Sequence, residues 1–490
     1  MSASTPAGLP SLGVSLIPVV ALIGLLAADV VAFGEDSSYG ANQIAMLLAA
    51  FIAGGIGMVR GVKWEAISGA ISHSVSQTTE AMLILLMIGA LSGTWLIAGI
   101  IPAFIHYGLQ ILEPGIFLFA ACIICGLLSL ATGSSWGTVG TVGVALVGIG
   151  SALGLSEGWI AGAIISGAYF GDKMSPLSDT TNIAAAVGGT DLFSHIRYMT
   201  LTTVPSLVVA LIVFLLVGFG GGASAGDVSA AFADDFGAAV FEAFNIHWGL
   251  FIAPVAVVVM IARKVPAAAA LLIGTVLGAL TAVIFQPEII RSVSGLGTEA
   301  GYGLAAFKAS IQSMALDSSV TTANAMANEL LSASGMAGML NTVWLILCAM
   351  VFGATMQATR MLERITQAIL SGVQSTFGLV GRTVGTCLAF NVLASDQYLA
   401  IVVPGNMLKD AYAERDLAPE NLSRTLEDSG TVTSVLIPWN TCGVAQSGIL
   451  GVATWAYLPY CIFNWVSPIM TLLVAAIGFR VKRLTDTASN

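Results

Sequence analysis

Four polar stretches interrupt the apolar body of this chain and carry side chains that could bind an ion. They are residues 132–143, 171–189, 391–405 and 426–443. The candidate ion or substrate ligands in them are Ser134, Ser135, Asp179, Thr180, Thr181, Asn182, Ser395, Asp396, Asn440 and Thr441. Carboxylate, hydroxyl and amide oxygens of this kind can replace the water shell of a hard cation such as sodium.

The carboxylates of these stretches are also candidates for carrying a proton. The candidates are Asp172, Asp179, Asp396 and Asp428. A carboxylate away from bulk water is costly to leave charged and alone, so it binds either a proton or a metal cation. Asp172 and Asp179 are seven residues apart, about two helical turns, so both could face one side. If a proton and a metal cation compete for one such carboxylate, that single site is sufficient to exchange one for the other.

Structural roles remain open for the same acids. Asp179 and Asp396 could cap the helices that follow them. Asp172 could form an ion pair with its neighbour Lys173, and Arg424 could pair with Glu427 or Asp428. His195 is expected in a loop at the membrane interface.

Proline and glycine predict where the helices carrying these residues break. Pro176 and Pro438 each remove a backbone donor, so the helices around them are expected to open there. The glycine-rich residues 132–143 do not suit a plain lipid-facing helix, and residues 391–405 are their counterpart. Since unwound backbone is tolerated at membrane depth where it lines a cavity, both stretches fit re-entrant hairpins.

The chain contains an internal repeat with an offset of about 260 residues. The aligned segments are 130–137 with 390–397, 178–182 with 438–442, and Gly93 with Gly353. Secondary transporters are commonly built from such repeats, with substrate held where the halves meet. We therefore predict a first transmembrane repeat at residues 1–222, a linker at 223–245 and a second transmembrane repeat at 246–490.

The composition requires lipid as the main solvent. Hydrophobic residues make up 57% of the 490 residues and charged residues only 9%, against about a quarter in soluble domains. A spanning helix needs about 20 apolar residues, and we predict about 10 to 13 crossings. The first apolar run is read as a retained helix. No basic run accompanies the net charge of −10, so nucleic-acid binding is not expected.

Basic residues bear on the orientation of the two halves. Arg60 and Lys63 follow the second helix, and Arg263-Lys264 follow the first helix of the second half. If these loops are cytoplasmic, the halves run in opposite directions, which needs an odd number of crossings in each half. Five or six crossings per half leave that parity open. The predicted fold is an all-α polytopic membrane protein with two inverted repeats, each containing a re-entrant hairpin and a broken helix.

Several long strings resemble the NhaC-type sodium/proton antiporter family of the ion transporter superfamily. They include GSSWGTVGTVGVA, GAYFGDKMSPLSDTTN, ASDQYLAIVVPGNMLKDAY and LAPENLSRTLEDSGTVTSVLIPWNTCG. The resemblance runs from about residue 60 to 480. It implies hairpins at 132–150 and 391–408, and broken helices near 175–182 and 437–443. It also implies a scaffold that forms a homodimer and a core that moves past that scaffold like an elevator.

The resulting hypothesis is a multi-pass transporter of the cell membrane that exchanges sodium for protons by alternating access. Its predicted sodium ligands are Asp179, Asp396 and Asn440. The alternative is a sodium- or proton-coupled antiporter of organic anions or amino acids, because similar proteins exchange malate and lactate. Lys173 and Arg424 are the only cations in or beside the polar stretches, which favours an inorganic cation. No nucleophile–base pair, metal-ligand cluster or cofactor motif indicates an enzyme or a cofactor.

Overall fold

The computed structural model describes residues 8–33, 39–111, 113–222, 238–263, 265–297, 299–322, 328, 331–370 and 375–484. In this part of the chain, nine helices are long and apolar enough to cross a membrane. The number is ten if the bent pair Thr454–Tyr460 and Ile462–Ile477 forms one span. An all-α polytopic membrane fold is thereby confirmed, and the count reaches the lower limit of our prediction only with the bent pair.

The first half of the chain is helical apart from short links. Its helices are Leu12–Phe33, Ala41–Val59, Trp64–Ile97, Ile100–Ile111, Pro114–Thr132, Ser135–Ala152, Glu157–Met174, Asp179–Gly188 and Leu192–Phe219. Residues 223–237 of the predicted linker lie outside the described residues. His195, which we predicted in an interfacial loop, lies fully buried inside Leu192–Phe219, so that prediction was wrong.

The second half contains the same kinds of element and one short strand pair. Its helices are Ile252–Ala262, Ala267–Phe285, Pro287–Ser294, Tyr302–Ala315, Gly335–Ala358, Met361–Leu370, Thr376–Leu393, Gln397–Ala413, Pro419–Leu426, Val432–Ser434, Thr441–Leu450, Thr454–Tyr457 and Ile462–Ile477. Ser318–Ser319 pairs antiparallel with Ser332–Ala333. Between Leu426 and Val432 the chain continues as a π-helical turn, Glu427–Thr431.

Each half contains a helical hairpin. In the first hairpin, Gly133 and Ser134 join the arms Pro114–Thr132 and Ser135–Ala152. Gly150, near the end of the second arm, lies against Phe117, near the start of the first arm, so the two arms are antiparallel. Gly133 ends the first arm with a φ of 71°, a left-handed conformation that glycine adopts without strain.

The second hairpin consists of Thr376–Leu393 and Gln397–Ala413. Its arms are also antiparallel, because the hydroxyls of Thr383 and Tyr412 are 2.9 Å apart at the end away from the tip. The tip contains Ser395, whose φ of 58° is left-handed although it is not glycine.

The glycine-rich tip sequences are less unwound than we predicted. Of residues 132–143, only Gly133 and Ser134 leave the helix, and Val139–Gly143 winds as a π-helix. Helical winding satisfies backbone donors and acceptors that have no water partner at membrane depth. The glycines instead permit close packing, since a Cβ at Gly140 would overlap Ile88.

Each half also contains a broken helix, as Pro176 and Pro438 predicted. The first broken helix is Glu157–Met174, a break at 175–178, and Asp179–Gly188. The second runs from Pro419 to Ser434, breaks at 435–440, and resumes as Thr441–Leu450.

The helix caps show how closely the element order repeats. Ser134 and Asp396 begin the second arms of the hairpins, and Ser178 and Asn440 begin the second parts of the broken helices. Both pairs are 262 positions apart (396 − 134 and 440 − 178), two more than the offset of 260 in all three sequence alignments.

The hairpins and broken helices pack on one another across the two halves. The arm Gln397–Ala413 lies against Asp179–Gly188, where Gly405 admits Val187. Thr441–Leu450 lies against the second arm of the first hairpin. A second group of helices, here called the scaffold, packs beside them. The scaffold helices are Ala41–Val59, Trp64–Ile97, Ala267–Phe285, Tyr302–Ala315 and Gly335–Ala358.

Candidate functional site

The two hairpin tips meet the two helix breaks in a polar region that we call the tip cluster. Its members are Ser134, Ser135, Asp172, Asp179, Thr180, Thr181, Asn182, Ser395, Asp396, Tyr398, Asn440 and Thr441. At the first tip, Ser135 donates to Asp172 Oδ2 through its backbone N–H (3.0 Å) and its hydroxyl (2.6 Å). The first hairpin is thereby tied to the last turn before the first break.

The second tip is tied to the second break. Asp396 is buried and its Oδ1 accepts from the backbone N–H of Leu399 at 2.9 Å, so it caps the second arm. The backbone N–H of Thr441 donates to the carbonyl of Ser395 at 2.9 Å. The Ser395 hydroxyl is buried and has no hydrogen-bond partner. In the second half the acid Asp396 lies at the hairpin tip. In the first half the acids Asp172 and Asp179 lie on the broken helix instead.

Asn440 holds the second break open in a defined shape. Its Oδ1 accepts from the N–H of Cys442 at 3.0 Å, and its Nδ2 donates to the carbonyl of Asn391 at 3.0 Å. Asn391 in turn donates from Nδ2 to the carbonyl of Gly430 at 2.7 Å. The amide of Asn440 therefore has a structural role at the second break.

The predicted ligands at the first break have similar capping roles. The Thr180 hydroxyl is 3.1 Å from that of Ser178, and the Thr181 hydroxyl donates to the carbonyl of Lys173 at 3.0 Å. Asn182 Nδ2 donates to the carbonyl of Ser178 at 2.7 Å. Ser134 Oγ accepts from the N–H of Gly137 at 3.0 Å at the first tip.

Three carboxylates of the tip cluster lie within electrostatic range of one tyrosine. The hydroxyl of Tyr398 interacts electrostatically with Asp172, Asp179 and Asp396, and Asp172 also interacts with Asp179. Asp179 is exposed, while Asp172 and Asp396 are buried. From their spacing we expected that Asp172 and Asp179 could face one side of a helix. The break at 175–178 places them on two separate helical segments, and the two carboxylates still interact. Acids from both halves thus share one region.

A second group of residues, the ion-pair cluster, joins the two broken helices. Lys173 of the first broken helix forms an ion pair with Asp428 of the second. Ser467 bridges the two, accepting from Lys173 Nζ at 3.1 Å and donating to Asp428 Oδ1 at 3.0 Å. Thr202 donates to Asp428 Oδ2 at 2.8 Å, and Arg424 Nε lies 3.9 Å from the same oxygen.

The side chains of this cluster are almost completely buried: Arg424 is 1% exposed and Lys173 and Asp428 are 0% exposed. The expected pair of Lys173 with Asp172 does not occur, because Lys173 contacts Asp428 instead. Asp428, a predicted proton carrier, already has cationic partners. Ser467 and Thr202 were not predicted, since single hydroxyls in apolar helices carry no sequence signal.

Comparison with known proteins supplies the family. The sequence pattern of the Na+/H+ antiporter family matches residues 167–479. The chain is 34% identical over 477 residues to the malate-2H+/Na+-lactate antiporter of Bacillus subtilis, covering 97% of each chain. It is 33% identical over 448 residues to the Na+/H+ antiporter NhaC of Alkalihalophilus pseudofirmus, covering 91% of this chain and 92% of that one.

A third relative is the arginine/ornithine antiporter ArcD of Halobacterium salinarum, which is 33% identical over 477 residues, covering 96% of this chain and 93% of that one. The family pattern covers more than half of the chain, and these relatives align with nearly all of it. The apolar helices of this chain are those of a multi-pass plasma-membrane protein. The chain therefore belongs to the Na+/H+ antiporter family.

Proposed function

We propose that this protein exchanges sodium ions for protons by alternating access, and that both ions bind in the tip cluster. The observation that carries the proposal is that Asp172, Asp179 and Asp396, from both halves of the chain, all lie within electrostatic range of Tyr398. Asp172 and Asp179 repel each other, and Asp396 adds a third acid to the same region, so a proton or a sodium ion among them lowers their energy. One site that accepts either ligand is sufficient for exchange.

The distribution of positive charge favours a cation as substrate. Lys173 and Arg424 both lie beside Asp428 in the ion-pair cluster, so their charges act on that carboxylate rather than on the tip cluster. None of the tip-cluster residues is basic. A carboxylate substrate would find three carboxylates there and no cation to oppose its charge.

In this proposal the protein consists of two inverted repeats, residues 1–222 and 246–490, joined by a linker at 223–245. Each repeat would supply one re-entrant hairpin and one broken helix to the site. The hairpins and broken helices would move together past the scaffold, and the scaffold would form the homodimer contact. Gly353 supports contact between scaffold and core, because it lies against the carbonyl of Ala394 at the second tip.

A second candidate function is exchange of an organic anion or amino acid coupled to these ions. Four helices begin in or beside the tip cluster, with caps at Ser134, Ser178, Asp396 and Asn440. Helix N-termini attract anions. The activities of the malate/lactate and arginine/ornithine relatives also favour this candidate.

The two candidates are separated by transport in proteoliposomes under an imposed pH gradient. Sodium, lithium, potassium, malate and lactate are added one at a time while internal pH is recorded. Sodium-evoked proton movement without any organic substrate is expected. Proton movement that requires malate or lactate would favour the second candidate and contradict the first. Empty liposomes are the control for leak.

A further inference from the structure

Glu427 is a buried carboxylate that the roles assigned above leave unused. Its side chain has no exposed surface, and neither carboxylate oxygen has a hydrogen-bond partner at normal geometry. The hydroxyl of Thr431, four residues later, is also buried without a partner. Both residues lie in the π-helical turn Glu427–Thr431, a form of helix often found at functional sites.

The surroundings of Glu427 come from both broken helices. The hydroxyls of Thr431 and Thr180 lie close enough to interact with its carboxylate, and the charges of Lys173 and Asp172 also act on it. Thr180 belongs to the first broken helix and Thr431 to the second. The carboxylate therefore lies at the crossing of the two broken helices, between the tip cluster and the ion-pair cluster.

The buried charges around Glu427 do not balance. Lys173 and Arg424 carry two positive charges, whereas Asp172, Glu427 and Asp428 carry three negative charges when ionised. A buried charge without a counter-charge is costly. When Asp172, which also belongs to the tip cluster, is ionised, the excess of one negative charge is what a single monovalent cation neutralises.

We propose that Glu427, Thr431 and Thr180 form a binding site for one dehydrated monovalent cation, sodium in the first instance. The donor set is a carboxylate and two hydroxyls, which are hard oxygen ligands. This site is additional to Asp179 and Asp396, and the inference rests on the proposed function only in taking sodium as a ligand of the chain. It makes the crossing of the broken helices a second place where sodium binds.

The test measures binding rather than transport. Thermal unfolding of the full-length protein in detergent is followed at increasing sodium chloride, with choline chloride holding ionic strength constant. A ligand that binds only the folded state raises Tm with its concentration. We expect the sodium-dependent rise in Tm to be smaller in Glu427→Gln than in the wild type, because this substitution keeps the side-chain size and removes one of the two proposed sodium sites.

Glu420→Gln is the matched control, because Glu420 is also largely buried on this segment but pairs with Lys482. It should lower Tm without sodium and keep the wild-type sodium dependence. Thr431→Val is the second variant and should weaken the sodium dependence if Glu427→Gln fails to fold. Without sodium, Glu427→Gln should be at least as stable as the wild type, since it removes a buried charge that has no partner.

A wild-type sodium dependence in Glu427→Gln or Thr431→Val would overturn the proposed site. So would loss of the sodium response confined to Asp179→Asn and Asp396→Asn. If the proteoliposome assay shows no sodium-driven proton movement, the proposed function fails, while the thermal assay still decides whether sodium binds at Glu427.

Discussion

The tip cluster and the ion-pair cluster are built on the same two broken helices but treat charge differently. In the ion-pair cluster, Lys173 and Arg424 are buried beside Asp428, so each cation has a carboxylate partner. In the tip cluster, Asp179 and Asp396 have helix N-termini rather than cations beside them. Asp172 and Lys173 are adjacent in sequence yet belong to different clusters, because successive helical residues point about 100° apart. The comparison separates charge that holds the helices together from charge that can meet a ligand.

The largest effect on stability should come from the ion-pair cluster. Lys173→Met leaves Asp428 buried opposite only the more distant Arg424, and removing one partner of a buried pair costs about 3–5 kcal/mol. Unfolding of the purified protein by heat or denaturant measures the loss. The double variant Lys173→Met/Asp428→Leu should recover most of it, because no lone acid remains. Wild-type stability in Lys173→Met would show that the pair does not join the helices.

A smaller loss is expected where the first tip is tied to Asp172. Ser135→Ala removes the 2.6 Å hydrogen bond to a buried carboxylate, for which about 1.5–3 kcal/mol is typical. Ser134→Ala is the neighbouring control and removes only a helix cap, about 1 kcal/mol. Equal losses in the two variants would contradict the special role of Ser135.

The contact between the scaffold and the tip of the second hairpin gives a third test. The expected loss of stability is similar to that of Ser135→Ala. A Cβ at Gly353 would overlap the carbonyl of Ala394, so Gly353→Ala should cost about 1–3 kcal/mol of stability through overpacking. Gly55→Ala is the matched control on another scaffold helix, since Gly55 has open space around it. There the change should be neutral or stabilising. Similar unfolding temperatures for the two variants would argue against the close approach.

The smallest effect on stability should come from Asp396→Asn. Asparagine caps a helix about as well as aspartate, so the bond from the N–H of Leu399 can persist and the change should stay below about 0.5 kcal/mol. Thermal unfolding beside Lys173→Met measures the contrast between the clusters. A loss as large as that of Lys173→Met would place Asp396 among the structural charges.

Local chemistry made part of this structure predictable. The breaks at Pro176 and Pro438 follow from the missing proline donor, whereas the helix after the first break is capped by Ser178 and not by Asp179, which we had considered for that role. Asp396 caps the second arm of the second hairpin, a role that its residue type allowed. These features depend on a residue and its immediate neighbours.

Contacts distant in sequence were not predictable in the same way. Lys173 and Asp428 are 255 residues apart, and no pattern in either segment names the other as its partner. The winding of residues 132–143 was also mispredicted, because composition alone does not reveal that Ile88 and Ile164 pack against its glycines. Predicting that packing requires the tertiary arrangement.

The most direct test of the central claim is sodium-dependent proton flux in proteoliposomes of Asp179→Asn and Asp396→Asn at saturating sodium. Both variants should fold as the wild type does, as shown by thermal unfolding on the same samples. The account predicts a loss of flux of at least about tenfold in each, equivalent to about 1.4 kcal/mol or more in the barrier. Wild-type flux in both variants would contradict exchange at the place where the hairpin tips and the helix breaks meet.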